Sequence, residues 1–320
     1  MSNPEAEAWL ERVRAIKRGR SFGRRAPHKP LLLLFAIGRL FHDHHSRVTF
    51  ESLELPLLRL LRNFGPPSKK PHPEQPFWHL QSDGLWTVSA TDIDRASIAL
   101  AKDRLPTGFA HSPTAAQLRR LGTVGQLQPD FEAALLADRR LMCDVVQTLL
   151  KANWPPSLHE DVCTLAGLDI AALEGAVAAQ RVREAPVPER RRDPEFRVKV
   201  LRAYRYRCAM CGYDGRLDAA AVGLEAAHVR WWAEGGPDET NNGLCLCVMH
   251  HKLFDRGVLG IRQDRCIMVS GQFVGWGNAA EEIVMALAGH HLAAPRAGES
   301  KVSQEHLRWH EDEVFRSPAL

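Results

Sequence analysis

Residues 241 to 255, Asn-Asn-Gly-Leu-Cys-Leu-Cys-Val-Met-His-His-Lys-Leu-Phe-Asp, hold two cysteines, two adjacent histidines and two adjacent asparagines. Cysteine sulfur and imidazole nitrogen are the ligands a tetrahedral structural zinc ion takes, and they come in closely spaced pairs. One such pair is Cys247-Val-Met-His250, and Cys208-Ala-Met-Cys211 repeats its spacing upstream. Either pair alone is equally well read as small buried core residues; the two together point to zinc. Cys245 competes with Cys247 as a ligand, and the two-residue spacer to His250 favours Cys247. With the chain helical from Val248 onward, neighbouring side chains diverge by about 100°, so His250 and His251 do not serve one ion. That leaves His251 for chemistry. Upstream, the alternating segment Leu-Glu-Ala-Ala-His-Val (224 to 229) ends in a strand-like run at His228, and Asn242 stands between the two histidines. A neutral imidazole near its ordinary pKa can take a proton at neutral pH.

The features Cys208-x-x-Cys211, Ala-Ala-His228-Val, Asn242-Gly-Leu, Leu-Cys247-x-x-His250-His251 and Phe254-Asp255 occur in a fixed order. This segment resembles the HNH, or ββα-metal, nucleases in the zinc-containing form found among McrA-type restriction endonucleases. The likeness runs from Phe196 to the closing Leu-Arg-Trp-His at 307 to 310 and just beyond. It implies that His228 is the general base for attack of water on a DNA phosphorus. It further implies that His251 helps to hold a catalytic Mg2+ or Mn2+ and that Asn242 orients the histidine-bearing loop. Asn241 is a rival for that role, but Asn242 directly precedes Gly243, where the motif expects the asparagine. One departure stands out: many relatives carry Asp or His immediately before the base, and this chain has Ala227. The ion therefore has fewer protein ligands here, or another residue supplies one.

Two stretches in the first half interleave cations with proline rings. The first is Arg24-Arg25-Ala26-Pro27-His28-Lys29-Pro30; the second runs from Gly65 through Ser68-Lys69-Lys70 and Gln75-Pro76-Phe77-Trp78-His79. Cations suit phosphates. Proline offers CH2 surface without a backbone donor, which suits the larger, poorly hydrated sulfur of a phosphorothioate. The stretches resemble the sulfur-binding domain of phosphorothioate-dependent McrA-type enzymes. That resemblance implies DNA or sulfur contacts from Arg24, Arg25, Pro27, His28, Lys29, Ser68, Lys69, Lys70, Gln75, Pro76, Phe77 and His79. The plainer alternative is that the cations are solvated and the prolines shape loops. Gly108-Phe109-Ala110-His111-Ser112 is a further loop that could touch DNA.

The elements needed to position these residues read as α+β: a mixed N-terminal domain over 1–180, a charged, proline-bearing linker over 181–194, and a ββα-metal domain over 195–320. Helices are expected over 4–18, 29–46, 51–63, 114–122, 130–152 and 157–180. Between them, Asn63 to Phe77 should be a loop, because its prolines remove donors. Phe77–Leu80 and Leu85–Ser89 around Ser82-Asp83-Gly84 read as a β-hairpin.

With 320 residues, 45% of them hydrophobic, the chain can bury a core in each of two domains. Seven cysteines, four of them clustered, favour metal over a disulfide scaffold. No apolar run reaches the roughly twenty residues of a membrane span, and the polar, acidic start is unlike a signal peptide. The expectation is a cytoplasmic protein without a membrane partner. Net charge is only +4, yet basic residues bunch at Arg18–Arg25, so double-stranded DNA is the expected partner; a homodimer is left open. The leading function is a modification-dependent, type IV restriction endonuclease acting on phosphorothioate-modified DNA. Its rivals are an HNH endonuclease reading methylated cytosine, which would need an aromatic pocket in a chain with only three tyrosines, and a catalytically silent zinc-stabilised DNA binder.

Overall fold

The computed structural model describes residues 4–16, 19–21, 24–68, 70–90, 113–169, 173, 194–218 and 220–320; for 19–21, 24–26, 90 and 194 it describes the backbone alone. The expected loop at 108–112 and residues 181–193 of the expected linker lie outside these. The chain divides into two compact units, Met1–Asn153 with His159–Glu184 and Trp154–Leu158 with Ala185–Leu320. Among the described residues, no helix is long and apolar enough to cross a membrane.

The first unit opens with α1 (Pro4–Arg14) and a short antiparallel pair, β1 (Gly19–Ser21) and β2 (Arg24–Ala26). Next come α2 (His28–Asp43), β3 (Val48–Thr49), α3 (Phe50–Phe64) and α4 (Glu74–His79). Leu31 to Leu34, Ala36, Ile37 and Leu40 of α2 are all fully buried, so this helix is the spine of the core. A turn of 3-10 helix, Leu80–Asp83, leads into β4 (Trp86–Ala90); α5 (Ala115–Arg120), β5 (Thr123–Leu127), α6 (Pro129–Ala137), α7 (Arg139–Asn153) and α8 (Pro156–Ala166), whose first three residues are assigned to the second unit, follow among the described residues. The antiparallel sheet has the order β3-β5-β4.

Two expectations are corrected. The segment at 77–80 is not the first arm of a hairpin but the end of α4 and the turn after it; β4 pairs with β5 instead. Its buried residues, Phe77 and Leu80, are spaced by three, the period of a helix face. Pro76 lies in the first turn of the helix, where its missing N–H costs nothing. The helix expected over 130–152 is broken at Asp138, whose Oδ1 accepts from the backbone N–H of Arg140 and Leu141 and so starts a new helix.

Phe77 is a core residue, edge-on to Phe50 (ring centroids 5.0 Å apart) and to Trp86 (5.9 Å). Gly125 of β5 allows this packing: a Cβ there would lie 2.1 Å from the Trp86 ring and 2.7 Å from that of Phe77.

The second unit contains α9 (Pro194–Ala203), a short pair β6 (Arg216–Leu217) and β7 (Ala220–Ala221), then β8 (Leu224–His228), β9 (Gly243–Cys247) and α10 (Val248–Asp255). Pro194, expected to close the linker, is instead the first residue of α9. The antiparallel register of β8 and β9 sets Glu225 opposite Leu246 and His228 opposite Gly243. Beyond lie β10 (Leu259–Ile261), β11 (Ile267–Val269), α11 (Asn278–Ile283) and α12 (Gln304–Glu313). Helix α12 closes the core through His310, whose ring stacks 3.6 Å from that of Phe254 and whose Nε2–H donates to the Phe254 carbonyl.

Gly125→Ala should destabilise the first unit by about 1–3 kcal/mol, as overpacking does. Urea denaturation would show it as a lower midpoint at unchanged slope; an unaltered midpoint would mean that Trp86 and Phe77 yield freely.

Candidate functional site

Strands β8 and β9 followed by α10 form a ββα unit, and the residues capable of chemistry are arranged on its two sides. On one side the donor atoms of Cys208, Cys211, Cys247 and His250 all lie within 4.8 Å of one another. The first two sit in a tight knuckle in which the N–H of Gly212, at φ 76°, donates to the Cys208 carbonyl. Cys247 immediately precedes α10 and His250 is on its first turn, so the helix start closes the cluster. The His250 Nδ1 lies 3.2 Å from the Cys247 sulfur and 3.6 Å from the Cys208 sulfur. Its Nε2–H donates to the Ile283 carbonyl at 2.8 Å, which fixes the tautomer with Nδ1 as the ligating atom. This Cys3His arrangement is compatible with structural zinc. Cys245 is not part of it: the residue is fully buried in the core, and burial pushes its thiol pKa up to about 12.

His251, the next residue, points elsewhere. Its Nδ1 lies 2.6 Å from Glu225 Oε2 on β8 and its Nε2 3.1 Å from Asp255 Oδ2 one turn along the helix. Burial lowers its pKa, but Asp255 and Glu225 outweigh burial and raise it to about 10. The same hydrogen bond holds Glu225 below the usual carboxylate range.

His228, at the end of β8, stacks on Phe196 of α9 with ring centroids 4.1 Å apart. Its Nε2–H donates to Asp238 Oδ1 at 2.7 Å, so in the neutral ring the basic lone pair is on Nδ1. Asn242 is fully buried and fastens the intervening loop to itself. Its Oδ1 accepts from the Arg230 N–H, and its Nδ2 donates to the carbonyls of Arg230 and Pro237. A Cβ on Gly236 would lie 1.9 Å from the Arg230 carbonyl oxygen, so that loop closes only around glycine. Glu225, Asp238 and the ring of Phe196 were not among the expected site residues, and Asp255 was named only as part of the motif. Glu225 carried a signal of its own, since strand alternation puts it on the same face as Ala227.

In the first unit the two proline-bearing stretches converge. Lys29 Nζ pairs with Asp83 Oδ2 at 2.6 Å, both side chains largely buried. The His28 pKa is lowered by burial and by His72, and that of His79 by burial and by Lys29. Pro27 caps α2 and Pro30 lies in its first turn; Pro73 and Pro76 take the same places in α4. Ser68 and Lys70 are exposed, and Pro27, Gln75 and His79 are partly so. Pro76 and Phe77 are buried, which removes their side chains from any open socket. Lys29 is paired with Asp83, so part of its charge is met within the protein. Lys69 and the side chains of Arg24 and Arg25 lie outside the described residues.

A family model for HNH endonucleases matches residues 208–262, which makes the chain a DNA-cleaving enzyme by class. A second model, for the ScoMcrA-like DNA sulfur-binding domain, matches residues 6–171, more than half of the chain. The protein belongs to that family and joins its sulfur-binding domain to an HNH domain. Among solved structures, the chain is similar to the sulfur-binding domain of SprMcrA complexed with phosphorothioated DNA (22% identity, TM-score 0.39, covering 50% of this chain and 94% of that one). It is similar to the corresponding ScoMcrA domain complexed with phosphorothioated DNA (21%, 0.40, 52% and 97%). A third likeness is to the type IV phosphorothioation-dependent restriction endonuclease ScoMcrA (19%, 0.39, 69% and 42%). No curated protein matches the chain.

The geometry separates the two neighbouring cysteines. Cys247→Ser should abolish tight binding of one Zn2+ per chain, whereas Cys245→Ser should retain it, as measured by elemental analysis after dialysis. The opposite pattern would move the ligand to Cys245.

Proposed function

We propose that this protein is a modification-dependent, type IV restriction endonuclease that binds phosphorothioate-modified double-stranded DNA and hydrolyses phosphodiester bonds nearby. Reading is assigned to the domain over residues 1–180 and cutting to that over 195–320, in the cytoplasm. The observation that carries the sulfur reading is the pair of proline-flanked helix starts. A helix N-terminus attracts anions through its dipole and its free N–H groups. At α2 the dipole remains while Pro27 and Pro30 supply no donor, which suits a charged sulfur better than a phosphate oxygen. Phe77, an aromatic that a methylcytosine pocket could otherwise draw on, is buried in the core.

In the cutting domain, Cys208, Cys211, Cys247 and His250 hold a structural zinc ion. His228 accepts the proton of the attacking water on Nδ1, and Asp238 is a positioning residue that keeps the proton of the ring on Nε2. Asn242 keeps the loop between them in place. His251 would help to hold a divalent Mg2+ or Mn2+, which would neutralise charge on the phosphoryl group.

Paired binding isotherms at physiological salt, on duplexes differing by one phosphorothioate, should show tighter binding to the modified DNA; equal affinity would remove the sulfur reading. On the modified duplex, His228→Ala should lose cleavage with affinity within a few-fold of wild type.

Asp238→Asn should slow cleavage by about 10²–10⁴-fold, the range of general acid–base effects, without weakening DNA binding. Because the amide would donate to Nε2 and shift the ring proton to Nδ1, the pH profile should change along with the rate. A uniform loss of rate with the profile intact would make Asp238 merely structural.

A further inference from the structure

His251 has a carboxylate on each ring nitrogen, and the two differ in kind. Asp255 is one turn away on the same helix, with a side chain only 1% exposed, and its Oδ1 is buried without a hydrogen-bond partner among the described residues. Glu225 comes from a different element, and its side chain is 46% exposed. Buried acceptors that take the N–H of a histidine are the usual means of orienting that ring toward a metal. The half-exposed carboxylate on the other nitrogen is where a ligand can enter. Ala227, on the same face of β8, has no donor atom to offer.

We propose that Glu225 is a protein ligand of the divalent ion at His251, which it shares through His251 Nδ1, while Asp255 orients the ring through Nε2. The proposal rests on the nuclease reading above, which assigns an ion to His251 but gives it no carboxylate. Nδ1 and the Glu225 oxygen are 2.6 Å apart, at hydrogen-bond distance. Two adjacent ligands at about 2.1 Å from an octahedral Mg2+ are about 3 Å apart, so a small rotation of an exposed side chain makes room. Oxygen from Glu225, with water and phosphate oxygens completing the shell, matches the preference of Mg2+ and Mn2+. Behind the ring, the Asp255 oxygen that faces Nε2 also accepts from Ser157 Oγ, which fixes that carboxylate in place.

The test is titration of the full-length, zinc-loaded protein with Mn2+, followed by electron paramagnetic resonance, without DNA. Wild type should bind one Mn2+ beyond the zinc. Glu225→Gln should weaken that binding by about tenfold or more, and Glu225→Asp, which keeps the carboxylate on a shorter stem, should bind better than the glutamine variant. Zinc content equal to wild type shows that both variants are folded. Wild-type Mn2+ affinity in Glu225→Gln, or equal weakening in the two variants, overturns the proposal. Absence of a Mn2+ site in the wild type overturns it together with the assignment of the ion to His251. A wild type that binds Mn2+ through Glu225 yet never cuts modified DNA leaves the ligand standing and sinks the nuclease reading instead.

Discussion

Neighbouring side chains on an α-helix diverge by about 100°, and the second unit is organised around that divergence at His250 and His251. One ring is committed to the cysteine cluster, the other to Glu225 and Asp255. Helix α10 has only eight residues and rests on a two-stranded ladder. Neither element is stable alone: helices need roughly 12–15 residues, and isolated hairpins are marginal. Something other than propensity must fix the helix direction: the core that buries Phe254, Leu244 and Leu246 contributes, and the four ligand side chains gathered at the helix start stand where a bound metal would add to it. A metal bound at such a cluster contributes on the order of 10 kcal/mol to folding, enough to hold the ladder and helix together. Because the anchor is the residue before His251, the position of that ring follows from the anchor.

The same logic explains which parts of the site were legible. Ligand pairs are written in the chain as spacing, and alternation along β8 writes the strand, so the cluster, His228, Asn242 and His251 could be picked out without coordinates. Their partners could not. Asp238 reaches His228 only because the loop folds back around Gly236 and Asn242, and that closure depends on backbone contacts with no sequence period. Asp255 was visible as part of a motif, but its role depends on its burial and on the contact of its Oδ2 with His251 Nε2, neither of which spacing reveals.

In the first unit, the long α2 was legible because its leucines cover every face, as a fully buried helix requires. The segment around Phe77 misled because Ser82-Asp83-Gly84 has the composition of a hairpin turn. Gly84 does adopt a left-handed conformation, at φ 69°, but it caps a turn of 3-10 helix. Local chemistry specified the reversal correctly and was silent on what preceded it. The partner of β4 was further along the chain, at β5, and Gly125 permits the close fit beneath Trp86 and Phe77 that goes with that pairing.

Placing Phe77 and Lys29 inside the first unit changes how that unit can distinguish one backbone linkage from another. A lysine bound to Asp83 lends only part of its charge to a ligand, so attraction for DNA must also come from exposed groups such as Lys70 and from the helix dipole, and both act on any phosphate. Discrimination has to arise from short-range chemistry. Oxygen is the better hydrogen-bond acceptor, and every N–H facing the linkage would favour it over sulfur. The prolines at the starts of α2 and α4 lower the number of such donors where the dipole of α2 is strongest. On the proposed reading, preference for sulfur would depend less on a contact that sulfur gains than on hydrogen bonds that oxygen is denied, while long-range attraction is left equal for the two.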